Sequence, residues 1–253
     1  MRVAAIYDIH GNLPALEAVL RDVRDAAVDR IVVGGDVILG PMPLESIEML
    51  QKLDRPADFL LGNCEREVLA IRAGAETTAP PPFRAMMQWT AGQLDDRVAN
   101  VLATWKTTSR LSFESLGTVL FCHATPRSDT EIFTERTAGE VLRPLFNGLG
   151  ADVVVCGHTH MQFDRRIGPT RVVNAGSVGM SFQGPGAFWL LLGEKIELRR
   201  TDYDLADAAA RIRGTAYPLA AEFAETNVLH PPARAATLES FARIELRATI
   251  GDA

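Results

Sequence analysis

The stretch Val3-Ala4-Ala5-Ile6-Tyr7-Asp8-Ile9-His10-Gly11-Asn12 decides how the chain reads. Five apolar residues in a row, ended by polar residues and a glycine, mark a strand buried on both faces. Residues 13–27 follow as a helix, with Leu13, Leu16, Leu20, Val23 and Ala27 on one face. Pro14 falls in its first turn, where a missing N–H is tolerated. Residues 31–33 form a second apolar run, closed by Gly34-Gly35-Asp36. Residues 43–52 are helical again. Residues 59–61 make a third strand, closed by Gly62-Asn63-Cys64-Glu65. Strand and helix alternate, so the first part predicts a parallel sheet.

Further along, the pattern changes. Residues 77–82 are a proline-rich loop, and residues 83–92 and 95–104 read as helices. Residues 110–114 and 118–122 form a hairpin around Leu116-Gly117, with His123 directly after it. Residues 137–146 are helical. Val153-Val154-Val155 is a strand leading into Cys156-Gly157-His158-Thr159-His160. Short strands at 162–167, 171–174, 187–192 and 195–200 predict a mixed or antiparallel sheet for the second half. Residues 205–213 are helical, and the alanine-rich end carries no motif. The expected layout is one domain over 1–204, with a helical insertion at about 73–105. A helical extension, 205–253, is expected to pack on the same domain.

Bulk properties set the outer limits. The 253 residues are 47% hydrophobic, enough for a full core. The formal charge of −6 argues against a stable complex with nucleic-acid backbone. No apolar run reaches the length of a membrane span, and the N-terminus lacks the pattern of a signal peptide. Three widely spaced cysteines read as reduced, which places the protein in the cytoplasm. The oligomeric state is open, a homo-oligomer included.

Strand ends are where α/β proteins gather their sites. Here they carry Asp8 and His10, Asp36, Asn63, His123, and His158 and His160. Taken singly, each has an ordinary reading. Asp8 or Asp36 reads as a cap or turn residue, Asn63 as a turn residue with positive φ, and one buried histidine as part of a core. Their coincidence points elsewhere: of the five histidines, only His230 stands outside such a position. In an extended strand end, the Asp-x-His and His-x-His spacings send both side chains to one side.

Asp8-x-His10-Gly11-Asn12, Gly35-Asp36, Gly62-Asn63, His123 and Gly157-His158-x-His160 resemble, in order and spacing, the calcineurin-like metallophosphoesterases. The resemblance covers about residues 1–200. His123-Ala124-Thr125-Pro126-Arg127 and Asn174-Ala175-Gly176-Ser177-Val178-Gly179 resemble the small bacterial phosphodiesterase branch. It implies an α/β fold, a four-layer α/β/β/α sandwich of two mixed sheets. It also implies two divalent transition metals, with Mn expected and Fe, Zn or Ni as alternatives. Asp8, His10 and His160 would hold one metal; Asn63, His123 and His158 would hold the other; Asp36 would bridge them. Asp36, Asn63 and His123 would act in catalysis through a metal-bound hydroxide that attacks phosphorus. Two divalent ions less two carboxylates and a hydroxide leave about one positive charge, which fits a diester monoanion and leaves a monoester open. The substrate expected is a small phosphodiester or a nucleotide-like molecule.

Where many relatives carry a histidine after Gly-Asn, this chain has Cys64. Its ordinary reading is a small buried hydrophobe, and its functional reading a weak leaving-group acid. Cys122 and Cys156 read as core. Gly34-Gly35 reads as a tight turn that aims Asp36. Arg66 and Arg127 read as surface arginines, with Arg127 the better candidate for a substrate phosphate contact. Asn12 either orients His10 or caps the helix after it. The rival enzyme readings are a phosphomonoesterase or protein phosphatase and a diadenosine-tetraphosphate hydrolase. Both expect Asp-Arg-Gly after the second motif, where this chain has Asp36-Val37-Ile38-Leu39-Gly40. A non-catalytic scaffold of the same fold would be expected to lose ligands, and all seven are present.

Overall fold

In the computed structural model, residues 1–77 and 79–246 are described. Thr78, in the expected proline-rich loop, and residues 247–253, the end of the expected extension, lie outside the described residues. The first elements are β1 (Val3–Ile6), α1 (Leu13–Asp25), β2 (Arg30–Val33), α2 (Pro43–Gln51), β3 (Ala57–Phe59) and α3 (Asn63–Arg72). Next come α4 (Pro81–Gln93), α5 (Asp96–Ala103), β4 (Thr108–Phe113), β5 (Gly117–Cys122) and α6 (Gly139–Phe146). Then follow β6 (Val153–Cys156), β7 (Phe163–Ile167), β8 (Thr170–Asn174), β9 (Ala187–Leu192) and β10 (Ile196–Thr201). The described chain closes with α7 (Leu205–Arg213), α8 (Ala220–Phe223), a π-helical turn (Ala224–Leu229) and α9 (Arg234–Phe241).

The strands form two five-stranded mixed sheets, ordered β10-β9-β1-β2-β3 and β4-β5-β6-β8-β7. β1, β2 and β3 pair in parallel, as the alternating pattern requires. In the second sheet β5, β6 and β8 are parallel, with β4 and β7 antiparallel at the edges. The period of two along each strand divides the core. Ala4 and Ile6 of β1 face helices α1, α3 and α5, with Leu16, Val68 and Leu102. Val3, Ala5 and Tyr7 face the other sheet, meeting Val119, Phe121 and Val155. On its far side, Leu120, Cys122 and Val154 pack against Leu142 and Phe146 of α6. Helix, sheet, sheet and helix therefore stack as four layers. Cys122 and Cys156 are core residues.

Two expectations need correction. β9 and β10 do not continue the second sheet; they extend the first, with Leu190 against Ala5 and Leu192 against Val3. β9 is buried along its whole length, so it suits a position between two neighbours rather than a sheet edge. Asn63, which taken singly reads as a turn residue, opens α3, with Gly62 as its cap.

The C-terminal helices pack beside the strand ends. Ala208, Ile212, Tyr217 and Phe223 cluster with Met42 and, partly buried, Met180. Arg211 braces α7 on α1 through Glu17, at 2.7 and 2.9 Å. No described helix is long and apolar enough to cross a membrane.

Candidate metal centre

The loops that leave β1, β2, β5 and β6, and the start of α3, bring the seven expected ligands together. The ligand atoms of Asp8, His10 and His160 lie within 4.8 Å of one another, as do those of Asp36, His123 and His158. Asp36 stands between the groups: its Oδ2 is 3.4 Å from His123 Nε2 and 3.9 Å from His10 Nε2. One end of the Asn63 amide lies 3.1 Å from His123 Nε2 and 3.0 Å from His158 Nδ1.

The backbone that does this is not extended, and here the strand-end expectation fails. Asp8, His10, Asp36, His158 and His160 all have left-handed φ, at 54°, 49°, 53°, 66° and 56°. Each such non-glycine position costs on the order of 1–3 kcal/mol. The loops hold one another in place. Asp8 N donates to Gly35 O, His10 N to Asp36 O and Gly11 N to Val37 O, at 3.1, 2.9 and 2.7 Å. Asn63 is the first residue of a helix and has no positive φ. Two glycines allow the close approach. A Cβ at Gly62 would meet Asp36 Oδ1 at 2.2 Å, and one at Gly157 would meet Asp8 Oδ2 at 2.4 Å.

Hydrogen bonds fix the tautomers of three histidines. His10 Nδ1 contacts Leu39 O at 3.1 Å, His160 Nδ1 contacts Met180 O at 2.6 Å and His123 Nδ1 contacts Gly34 O at 2.9 Å. A carbonyl only accepts, so each Nδ1 carries a proton. When neutral, His10 and His160 then turn bare Nε2 lone pairs towards each other at 3.1 Å. That contact is repulsive unless a proton or a cation lies between them. Asp8 Oδ1 is buried with no hydrogen-bond partner, 3.4 Å from His160 Nε2. Asn63 tells the same story. Its shared end as an oxygen accepts from a charged His123 but meets His158 Nδ1 and Asp129 O, at 3.0 and 3.2 Å, with no proton between, and suits a cation. The donor set, imidazoles with carboxylate and amide oxygens, fits divalent transition metals.

Electrostatics separates the two groups. Burial, then His160, lowers His10 to about 4. Burial, then His123, lowers His158 to about 4. Burial also works against a charged His123, but Asp36 and then Asp8 outweigh it and raise His123 to about 10. In return His123 holds Asp36 well below the usual carboxylate range, although burial opposes that.

The model of the calcineurin-like phosphoesterase superfamily domain matches residues 1–194. The chain belongs to that superfamily. It is 26% identical over 234 residues to the uncharacterized protein MJ0912 of Methanocaldococcus jannaschii, covering 83% of this chain and 91% of that one. A metallophosphoesterase from Sphaerobacter thermophilus superposes with a TM-score of 0.69 at 25% identity, over 88% of this chain and 99% of that one. The hypothetical protein PH1004 of Pyrococcus horikoshii OT3 shares the fold, with a TM-score of 0.78 at 18% identity, over 92% and 99%. As a member of a phosphoesterase superfamily that uses divalent metals, the chain is a hydrolase with candidate ligand groups in place.

Within this superfamily site, several supporting residues emerge. Glu65 is fully buried, and its carboxylate accepts from Asp36 N, Val37 N, Ile38 N and Gly62 N at 2.8, 2.7, 3.2 and 3.0 Å. It ties the Asp36 loop to the start of α3. Burial and then Asp36 raise its carboxyl to about 7, against the pull of those amides. Glu65 is not among the ligand types that the motifs single out. Its signal is a glutamate three residues after a helix cap, the position that reaches back to the cap N–H. Asn174 Nδ2 donates to Gly157 O at 2.7 Å, and Ser177 Oγ donates to Asp8 O at 2.7 Å. Asn12 caps α1, accepting from Ala15 N at 3.2 Å, while His10 turns to Leu39 instead.

Cys64 is buried but not in purely apolar company. Its Sγ donates to Asp36 Oδ2 at 3.0 Å, and its backbone N donates to Asp36 Oδ1 at 2.9 Å. Burial, then Asp36 and Glu65, push the thiol well above its ordinary value, so it stays protonated. Arg127 does not join the cluster: its exposed guanidinium pairs with Glu131. Arg66 pairs with Asp129 at 2.6 Å.

Proposed function

We propose that this hydrolase cleaves phosphodiesters and holds two divalent metal ions, Mn by preference, between the two groups of ligands. The observation that carries the reading is the pair of imidazole Nε2 atoms meeting at 3.1 Å with their Nδ1 protons already committed, beside the orphaned Asp8 Oδ1. Asp8, His10 and His160 would hold one ion; Asn63, His123 and His158 the other; Asp36 would touch both. When bound, such a pair lowers the pKa of water and neutralises charge on phosphate.

The chain's own residues favour a diester. Both arginines that follow the motifs are engaged by carboxylates, so neither is free to balance the second charge of a monoester dianion. Cys64 keeps its proton and donates it as a hydrogen bond to Asp36, which makes it a poor leaving-group acid, so good leaving groups should turn over best. The free, buried cysteines fit a reducing, cytoplasmic setting. The test is a panel on metal-stripped protein reloaded with Mn, Fe, Zn, Ni or Mg. Substrates are bis- and mono-nitrophenyl phosphates, cyclic nucleotides and dinucleotides. The expected result is metal-dependent turnover that favours the diesters. Turnover that survives complete metal removal would sink the metal reading, and a preference for monoesters would sink the diester reading.

A further inference from the structure

The C-terminal helices lie beyond the residues that the superfamily model matches, and one of them reaches the His160 side of the site. Arg234 of α9 donates to Gln183 Oε1 and Gln162 O, both at 2.8 Å, and to Glu135 Oε2 at 2.6 Å. Gln183 Oε1 also accepts from Gln162 N at 2.7 Å. These bonds fix α9 against the same loop whose Met180 carbonyl orients His160.

Phe182 stands on that loop. Its N donates to His160 O at 3.2 Å. Its ring lies over the His160 imidazole, with centroids 4.5 Å apart and planes 31° apart. Phe241 of α9 meets Phe182 edge-on, at 6.2 Å and 68°. Phe121, Phe133, Phe146 and Trp189 are sealed in the core, whereas Phe182 and Phe241 are only half-buried. Half-buried rings beside a polar centre are of the kind on which planar bases stack.

We propose that Phe182 and Phe241 form a subsite for an aromatic group esterified to the phosphate, so that the substrate is an aryl- or nucleoside-type phosphodiester. The inference rests on the phosphodiesterase reading and adds its substrate class. Phe182 touches the ring of His160, a candidate ligand, which places it next to the site where phosphate would be held. A base stacked on an aromatic side chain gains about 5- to 150-fold in affinity.

The test is binding of adenosine 5′-monophosphate and methyl phosphate to the Mn-loaded full chain by calorimetry. Wild type should prefer the nucleotide at least about 5-fold. Phe241→Ala and Phe182→Leu should each cut that preference several-fold, and Phe241→Trp should keep it. Melting curves check that each variant folds; should Phe182→Leu fail, Phe241→Ala carries the test. No preference in wild type overturns the inference. So does equal weakening of both ligands in the variants, which would make the rings mere props for His160. Failed diester turnover with the preference intact would sink the phosphodiesterase reading and leave the aromatic subsite standing; turnover without the preference would do the reverse.

Discussion

The two halves of the metal centre are built from similar residues but are prepared differently. On the Asp8 side, His10 and His160 have their Nδ1 protons pinned by carbonyls, and His10 is neutral, so its Nε2 lone pair is ready for a cation. On the Asn63 side, His123 is held at about 10 by Asp36, so near neutral pH it carries a proton where a metal would sit. The Asn63 amide oxygen faces that proton at 3.1 Å, and the same oxygen is the end that suits a cation. The lesson is that ligand type alone does not set readiness. A cation at the first group would fill a gap, whereas one at the second would first have to displace the His123 proton.

The strongest way to break this contrast is Asp36→Asn. It removes the carboxylate that reaches both halves and that holds the proton on His123. We expect kcat/KM to fall on the order of 10³-fold, about 4 kcal/mol of barrier, with metal content dropping below two per chain. Full activity with two metals would refute the bridging assignment. Glu65→Gln probes the halves unequally, because Glu65 anchors the Asp36 loop to α3. Metal affinity on the Asn63 side should weaken about 10- to 100-fold, the usual effect of a supporting partner, and less on the Asp8 side. Equal losses in two-site calorimetry would show that Glu65 supports the fold rather than one half. Cys64→His should raise turnover several-fold on poor leaving groups and little on good ones, about 1 kcal/mol of barrier. Equal gains on both would remove the leaving-group argument.

The smallest effect is the pH dependence of the metal-free protein. His10 and His158 sit at about 4, below the ordinary 6.5, so the stability they confer is present above 6.5 and lost as pH falls towards 4. Glu65, raised to about 7, opposes this with a single group. His123 sits at about 10, so its contribution is present below 6.5 and lost as pH rises towards 10. Metal-free Tm should therefore peak near 6.5. The alkaline decline should vanish once Mn takes the place of the His123 proton. A Tm that rises steadily from pH 6 to 9 without metal would contradict the charged His123.

Much of this was legible in the chain because it is local. Apolar runs such as Val3-Ala4-Ala5-Ile6 and Val153-Val154-Val155 announce buried strands, and the motifs at their ends announce the ligands. What was hidden depends on distant partners. Nothing in residues 187–201 says which sheet they join; that is set by packing against β1. The left-handed backbone at Asp8, His10, Asp36, His158 and His160 is invisible because aspartate and histidine usually adopt other conformations, and only the interlocked loops impose it. Glu65 looked like part of a turn because its four donors come from two separate loops. Phe182 and Phe241 lie 59 residues apart and meet only after α9 docks.

The bonds from Ser177 Oγ and Gly179 N to Asp8 O also set a timetable. Asp8 leaves the ribosome early, yet its brace and its partner His160 lie some 150 to 170 residues later. At about 5–20 residues per second, synthesis leaves the N-terminal ligands waiting roughly 10–30 seconds without their frame. During that interval Asp8 and His10 are ordinary polar residues of an unfinished sheet. A cation shared by Asp8, His10 and His160 could therefore be held only after His160 has been made, so an occupied site would report that translation has passed the second half.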